Sequence, residues 1–118
     1  MTDPNFILLY VSDNAVSVPF YTALLGKPPI ESAPTFAMFA LSSGVMLGLW
    51  RQDGVSPPAT APGGGELAFA QPDVDAAHAT WQALGITIVH PPVDTEFGRT
   101  FLATDPDGHR LRVFAPPG

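Results

Sequence analysis

The two halves of this chain carry the same sequence pattern, and this internal repeat limits the folds that the chain can adopt. A strand, a helix that ends at glycine and a hairpin follow one another in each half of the sequence. The two copies align at three places: Asp13 with Asp73, "ALLG" with "QALG", and Gly44 with Gly108. A repeated pattern of this kind predicts that each half folds into the same supersecondary unit.

The first half predicts four strands and one helix. "NFILLYVSD" is typical of a strand and "AVSVPFYTALLG" of a short helix that ends at Gly26. Because Pro19 is unfavourable inside a helix, we expect a late start, with Ser17 as the N-cap. "KPPIESAP" holds a short strand, and "PTFAMFALSSGVMLGLW" predicts a hairpin around Gly44. The first unit is therefore βαβββ.

The second half repeats these signals after a Pro- and Gly-rich linker at 53–64. "GELAFAQPD" predicts a strand and "VDAAHATWQALG" a helix that ends at Gly85, with Trp81 on its packing side. "ITIVHPP" predicts a strand, and "TFLATDPDGHRLRVF" a hairpin around the tight turn 105–108. The second unit is also βαβββ.

The whole chain, 1–118, is predicted to be a single domain of two units, at about 1–52 and 65–118. Its 118 residues are a typical length for one domain. Each helix covers one face of a small sheet, and two such sheets placed side by side curve into an open cup. The predicted fold class is therefore α+β, with paired βαβββ units and a cup-shaped mixed sheet.

Period-two alternation sorts the strand residues into two sets. One set is apolar throughout, which fixes the register of the strands. The residues predicted to face the helices are Ile7, Leu9, Val11, Val45, Leu47, Leu49, Leu67, Phe69, Leu111 and Val113. The residues predicted to face the cup are Phe6, Leu8, Tyr10, Met46, Gly48, Trp50, Glu66, Ala68, Ala70, Arg110, Arg112 and Phe114.

The charge and hydropathy of the chain limit its partners. Five Lys and Arg residues stand against eleven Asp and Glu, and a net charge of −6 disfavours nucleic-acid binding. The longest apolar run, "FILLYV", is the length of a strand and too short to cross a membrane. We expect no signal peptide, and the chain has no cysteine. We therefore expect a cytoplasmic protein without nucleic-acid or membrane partners.

Paired βαβββ units carrying "PFYTALLG" and "TDPDGHRLRVF" resemble the vicinal oxygen chelate superfamily, which includes glyoxalases, bleomycin-resistance proteins and dioxygenases. The resemblance covers nearly the whole chain, but function varies widely on this fold. "FGRTFLATDPDGHRLRV" and the strand ending "LGLW" are most similar to phenazine-antibiotic-resistance proteins. This resemblance implies a cup that holds a flat aromatic molecule without a metal, with Trp50 available for stacking.

Metal-using members of the superfamily, as the resemblance implies, draw ligands from four equivalent places. In this chain those places are Phe6, Gly48, Glu66 and Arg112. Phenylalanine and glycine have no side-chain donor, arginine is a fixed cation, and one carboxylate does not make a metal site. The histidines that match none of these places are His78, His90 and His109, and we expect His109 at the surface. We therefore expect no metal and no cofactor.

Opposite charges at Glu66 and Arg112 predict an ion pair at the floor of the cup. One interpretation is a structural bridge, or arginine side chains that extend to water. The other is that a ligand carboxylate or ring nitrogen shares the pair. Arg99 lies in a predicted loop, 97–99, at the rim of the cup, where it is either solvated or contacts an anionic ligand.

Trp50 has two interpretations as well: packing in the core or at a dimer interface, or a stacking platform for a flat ring. Its cup-facing position and the superfamily resemblance favour stacking. No catalytic residue is assigned. The predicted ligand-binding residues are Trp50, Glu66, Arg112, Phe6, Tyr10, Met46, Phe114 and Arg99.

The leading hypothesis is a metal-free protein that sequesters a planar, partly anionic aromatic compound, such as a phenazine-like antibiotic, and so confers resistance. The alternative is an enzyme of the same superfamily: a metal-dependent lyase, isomerase or dioxygenase, or a metal-free enzyme with Glu66 as general base. A third reading is an interaction module whose exposed strands pair with a partner. We expect a homodimer, and the linker permits two chains to exchange units.

Overall fold

The computed structural model describes residues 5–55, 61–95 and 98–116. The chain divides into two compact units, of which the first ends at Gly63 and the second begins at Gly64. Each unit contains one helix and a four-stranded mixed sheet, so the predicted α+β fold of two βαβββ units is confirmed. Part of the predicted linker, 56–60, and Phe97 lie outside the described residues.

The first unit has its first and last strands side by side. Its elements are β1 (Phe6–Val11), α1 (Asn14–Leu25), β2 (Glu31–Ser32), β3 (Phe36–Ala40) and β4 (Met46–Arg51). The strand order is β1-β4-β3-β2; β1 and β4 are parallel and the other pairs are antiparallel. The predicted hairpin turn is present between β3 and β4, and Gly44 there has a φ of 92°. A positive φ explains the glycine at that turn.

The second unit repeats this arrangement. Its elements are β5 (Glu66–Ala70), α2 (Val74–Ala83), β6 (Thr87–Thr95), β7 (Gly98–Thr104) and β8 (Arg110–Ala115). The strand order is β5-β8-β7-β6, with β5 and β8 parallel. Of the helices in the described ranges, none is long and apolar enough to cross a membrane.

The start of α1 differs from the prediction. Asp13, not Ser17, is the N-cap, and its carboxylate accepts a hydrogen bond from the backbone N–H of Ala15 at 2.9 Å. Ser17 is buried within the helix, and Pro19 lies in its interior. Pro19 has no N–H to donate to the carbonyl of Ala15, so the helix continues with one backbone bond fewer. The cap at Asp13 and the burial of Tyr21 outweigh this local cost.

Trp81 of α2 packs on the sheet, as predicted. It is 8% exposed, and its ring lies edge-to-face with Phe69 and Phe101, at centroid distances of 5.4 and 5.3 Å. Asp73 caps the helix by accepting a hydrogen bond from the N–H of Ala76 at 3.0 Å. The second sheet is thus anchored to its helix by a cluster of aromatic rings.

Nine of the ten residues predicted to face the helices are buried or half-buried, and Ile7 is the exception. The helix-facing residues that are buried are Leu9, Val11, Leu47, Leu49, Leu111 and Val113. Ile7 has the same parity but is 41% exposed. It lies at the start of an edge strand, and α1 packs mainly on β3 and β4.

Gly98 and Arg99 belong to β7 and not to the loop predicted there. Strand β6 runs through Pro91 and Pro92, and its last residues pair with the first residues of β7. The register shifts on both sides of His90, which lets an edge strand accommodate two prolines. The prediction ended β6 at these prolines and was therefore wrong about the segment that follows.

His109 is buried, whereas the sequence predicted a surface position. It follows the turn from Asp105 to Gly108, which joins β7 to β8. Its Nδ1 lies 2.7 Å from Oδ2 of Asp105, and the other carboxylate oxygen accepts backbone N–H groups from Asp107 and His109. The carboxylate that completes the turn also gives the imidazole a buried partner, which the sequence analysis missed.

Candidate functional site

The face of the first sheet opposite α1 carries aromatic and apolar side chains. Phe6 of β1 lies beside Met46 of β4, and Tyr10 and Phe36 flank Trp50. The residues that line a hollow of about 410 Å³ on this face are Phe6, Leu8, Phe36 and Trp50. We call it the aromatic hollow. All four lining side chains are apolar, and each keeps part of its surface accessible.

The rings of the aromatic hollow are held in fixed relative orientations. Phe36 meets the indole of Trp50 edge-to-face, with ring centroids 6.1 Å apart and planes at 88°. Phe6 lies 6.5 Å from Phe36 at an interplanar angle of 32°. Such contacts restrict ring rotation, so the hollow offers a preorganised aromatic surface.

Gly48 permits these side chains to approach the sheet closely. A β-carbon at this position would lie 2.6 Å from Cδ2 of Leu8 and 2.8 Å from Cε1 of Phe6. It would also lie 3.2 Å from Cε1 of Phe36. Neighbouring apolar side chains therefore fill the space above Gly48, one of the four superfamily ligand places.

Sequence reasoning placed Tyr10 and Met46 on the correct face but missed Phe36. Tyr10 and Met46 are half-buried on the first sheet and lie beside the aromatic hollow, outside its lining. Phe36 was missed although a signal was available. Counting back from the turn at Gly44 pairs it with Trp50 across the hairpin.

The corresponding face of the second sheet carries a hollow of about 320 Å³, lined in part by two arginines. We call it the arginine hollow. The lining residues that matter below are Arg110, Arg112, His90, Val93, Thr100 and Leu102. The sequence placed Arg110 on this face but left it out of the predicted site, and it missed the lining residues of β6 and β7. Phe114 lies on the same face of β8, beside Thr100 of β7, and is half-buried.

The ion pair predicted between Glu66 and Arg112 is present. Nε of Arg112 donates to Oε2 of Glu66 at 3.0 Å. Nε of Arg110 lies 3.9 Å from the other oxygen of the same carboxylate. The side chains of Glu66 and Arg112 are 38% and 34% exposed, so the pair remains in contact with water.

Arg99 lies on the opposite face of the second sheet, beside α2. Its Nε and Nη2 donate to the two oxygens of Asp75 at 3.0 and 2.9 Å, and its Nη1 donates to Asp94 at 3.0 Å. The hydrogen bond with Asp75 raises the pKa of the Arg99 guanidinium and lowers the pKa of the Asp75 carboxyl. The structure therefore does not bring Arg99 together with Arg112, and its predicted ligand contact stays a prediction.

The four superfamily ligand places do not fit a divalent metal. Phe6 and Gly48 supply no donor, and Glu66 is paired with the cationic Arg112. Within residues 5–55, 61–95 and 98–116, no three His, Asp or Glu side chains cluster closely enough to hold an ion. The side chains at these four places, rather than the geometry of the sheets, are therefore unsuited to a metal centre.

A match to a protein-family model shows the family to which this chain belongs. The model of the glyoxalase/bleomycin resistance protein/dioxygenase superfamily matches residues 4–113. The chain belongs to this superfamily. The resemblance of its sequence motifs to that group is thereby confirmed.

Individual proteins are also similar to this chain. The chain is 34% identical over 116 residues to the phenazine antibiotic resistance protein EhpR of Enterobacter agglomerans, covering 93% of this chain and 89% of that protein. A protein from Agrobacterium tumefaciens, solved by NMR in solution, is 49% identical over both complete chains, with a TM-score of 0.89. A glyoxalase/bleomycin resistance protein/dioxygenase from Nocardioides is 29% identical, with a TM-score of 0.82, covering 100% of this chain and 89% of that one.

Proposed function

We propose that this protein binds a planar aromatic compound of the phenazine class, makes or breaks no bond in it, and confers resistance by lowering its free concentration. The observation that carries the proposal is the aromatic hollow, in which Trp50 and Phe36 stand at right angles beside Phe6. Small-molecule sites are typically apolar hollows of about 300–1,000 Å³, and this one is within that range. The 34% identity to a phenazine antibiotic resistance protein supports the same ligand class.

The energetics require more than one stacked ring. Stacking on Trp50 contributes roughly 1 kcal/mol beyond the burial of apolar area. A micromolar dissociation constant corresponds to about −8 kcal/mol. Most of the affinity therefore comes from removing apolar ring surface from water, which a hollow without polar side chains favours.

Binding without turnover accounts for these residues better than catalysis does. A metal-dependent reaction needs donors at the four superfamily ligand places, which here hold mostly groups that cannot ligate. A metal-free reaction would use Glu66 as general base. Its carboxylate is engaged by Arg112 and is close to Arg110, so a substrate proton would compete with two cations for it.

The experiment that tests this proposal is a titration of the EDTA-treated protein with phenazine compounds, followed by calorimetry and by tryptophan fluorescence. We expect saturable binding, quenching of Trp50 and recovery of the ligand with unchanged mass. Trp50→Ala should weaken binding at least tenfold, whereas Trp50→Phe, which keeps an aromatic ring, should weaken it less. An unfolding curve of each variant separates lost affinity from lost stability.

Two results would overturn the proposal. One is a ligand whose mass changes during incubation, which would indicate an enzyme. The other is an affinity for phenazines that stays the same in a folded Trp50→Ala variant.

A further inference from the structure

We propose that the arginine hollow binds the carboxylate of an aromatic acid, and that Glu66 competes with this ligand for Arg110 and Arg112. The choice of an aromatic acid as ligand rests on the proposed function. The competition by Glu66 rests on the geometry of the second sheet alone.

Both guanidinium groups have free hydrogen-bond capacity. Arg112 donates to Glu66 through Nε alone, and the Nε of Arg110 is the atom of that residue nearest to the same carboxylate. Within the part of the chain that the structure describes, the Nη atoms of the two arginines bond to no other protein group. A guanidinium carries five N–H donors in a fixed fork, and the unused Nη atoms suit the two oxygens of a carboxylate.

The charge balance of the hollow favours an anion. Arg110 and Arg112 both line it, while Glu66 lies on β5, on the other side of β8, and does not. None of the lining residues is acidic. Arg110 and Arg112 carry two positive charges and Glu66 carries one negative charge, so the three side chains together have a charge of +1. The whole chain, by contrast, has a net charge of −6. An anion of a single charge would balance it.

The other walls of the hollow suit an aromatic body rather than a small ion. Leu102 is 6% exposed and lies opposite Arg112 across the β7–β8 ladder, whereas Val93 on β6 is 39% exposed. His90 faces Leu102 from β6, and its Nδ1 donates to the carbonyl of Pro91 at 2.8 Å.

A substitution of Glu66 tests the proposal, because the direction of the change in acid affinity depends on the role of its carboxylate. If the Glu66–Arg112 pair is only a structural bridge, removing the carboxylate weakens the site. If Glu66 competes with a ligand carboxylate, Glu66→Gln frees both guanidinium groups and tightens binding. The two roles predict opposite changes for one substitution.

The experiment compares phenazine-1-carboxylate with phenazine-1-carboxamide, which share a ring system and differ in charge. We expect the wild-type protein to bind the acid about tenfold or more tightly than the amide. Arg112→Gln should abolish most of that preference, and Glu66→Gln should tighten acid binding several-fold without affecting the amide. Arg51→Gln is the matched control, because it removes the same charge from the first unit and should leave the preference unchanged.

The outcomes separate this inference from the proposed function. Equal binding of acid and amide to the wild-type protein would leave the aromatic hollow intact as a proposal and overturn the arginine hollow. Weaker acid binding by a folded Glu66→Gln variant would overturn the competition.

If neither phenazine binds, the proposed function fails and a second probe tests the hollow by itself. Benzoate should shift the NMR signals of the Nε–H groups of Arg110 and Arg112, whereas benzamide should not. Acetate distinguishes an aromatic acid from any small carboxylate, and we expect it to produce smaller shifts at equal concentration. No shift with benzoate, or equal shifts with acetate, would overturn the proposal.

Discussion

The imidazole of His109 and the carboxylate of Asp105 form a buried pair, 2.7 Å apart at Nδ1 and Oδ2, with side chains 2% and 0% exposed. The same carboxylate accepts backbone N–H groups from Asp107 at 2.9 Å and from His109 at 2.8 Å. One side chain thus fixes the turn and pairs the ring beside it. The β7–β8 hairpin carries both arginines of the arginine hollow, so this pair holds their strand in place.

Asp105→Ala should destabilise the protein strongly. It removes the contacts to His109 and to the two backbone N–H groups and leaves buried donors without partners, which costs about 3 kcal/mol or more. Urea unfolding followed by circular dichroism measures this change. His90→Ala is the control, because its ring is exposed and we expect a change within about 0.5 kcal/mol. A loss below about 1 kcal/mol for Asp105→Ala would contradict the role of the carboxylate.

Gly48→Ala should disturb the aromatic hollow without introducing any polar group. The added methyl would come within 2.6 Å of Leu8 and 2.8 Å of Phe6, and overpacking of this kind costs about 1–3 kcal/mol. We also expect weaker phenazine binding, since Phe6 and Phe36 must move.

Gly54→Ala provides the matched control for that substitution. A β-carbon at Gly54 has its nearest neighbour, Cβ of Thr35, at 3.4 Å, so it fits with little adjustment. Calorimetric titration and thermal unfolding of both variants compare the two sites. Equal behaviour of the two alanine variants would show that close packing over Gly48 is not what shapes the hollow.

Asp75→Asn should show a pH-dependent effect on stability. The hydrogen bond with Arg99 lowers the pKa of the Asp75 carboxyl in the folded protein. A depressed folded pKa stabilises the protein above the ordinary carboxyl value of about 4, and that contribution is lost as the pH falls through this value toward the lowered one. The wild-type protein should therefore unfold at a slightly higher temperature than the variant at pH 7, and the gap should be smaller at pH 3. A gap of the same size at both pH values would contradict this assignment.

Period-two alternation and turn chemistry were sufficient to predict most of the strands and most of their facing residues, because both signals are local. The start of α1 was not predictable in this way. Asn14 donates to the carbonyl of Leu49 at 3.0 Å, a contact between residues 35 apart in the chain, and Tyr21 is completely buried. These tertiary contacts keep Pro19 in a helix that its local preference disfavours.

The residues of the candidate site likewise divide into those that local sequence signals predicted and those that they did not. Strand parity predicted the face of Trp50, Glu66 and Arg112, and the superfamily ligand places predicted the Glu66–Arg112 pair. In the register of β5 and β8, Glu66 lies directly opposite Arg110. Arg99 was misplaced because the prediction ended β6 at Pro91 and Pro92 and therefore assigned Gly98 and Arg99 to a loop instead of to β7. Neighbouring residues of a strand point to opposite faces of the sheet. The side chain of Arg99 therefore lies on the face that packs on α2, where it binds Asp75, and not on the face that carries Arg112.

The order of the strands also has a consequence for synthesis on the ribosome. In each unit the strand that is synthesised last pairs with the strand that is synthesised first. β1 therefore has no partner strand until β4 is made, and β5 has none until β8 is made. Each sheet therefore stays incomplete until translation reaches the end of its unit. A nascent chain arrested before Arg110 would leave one edge of both β5 and β7 without the neighbour that each has in the finished sheet.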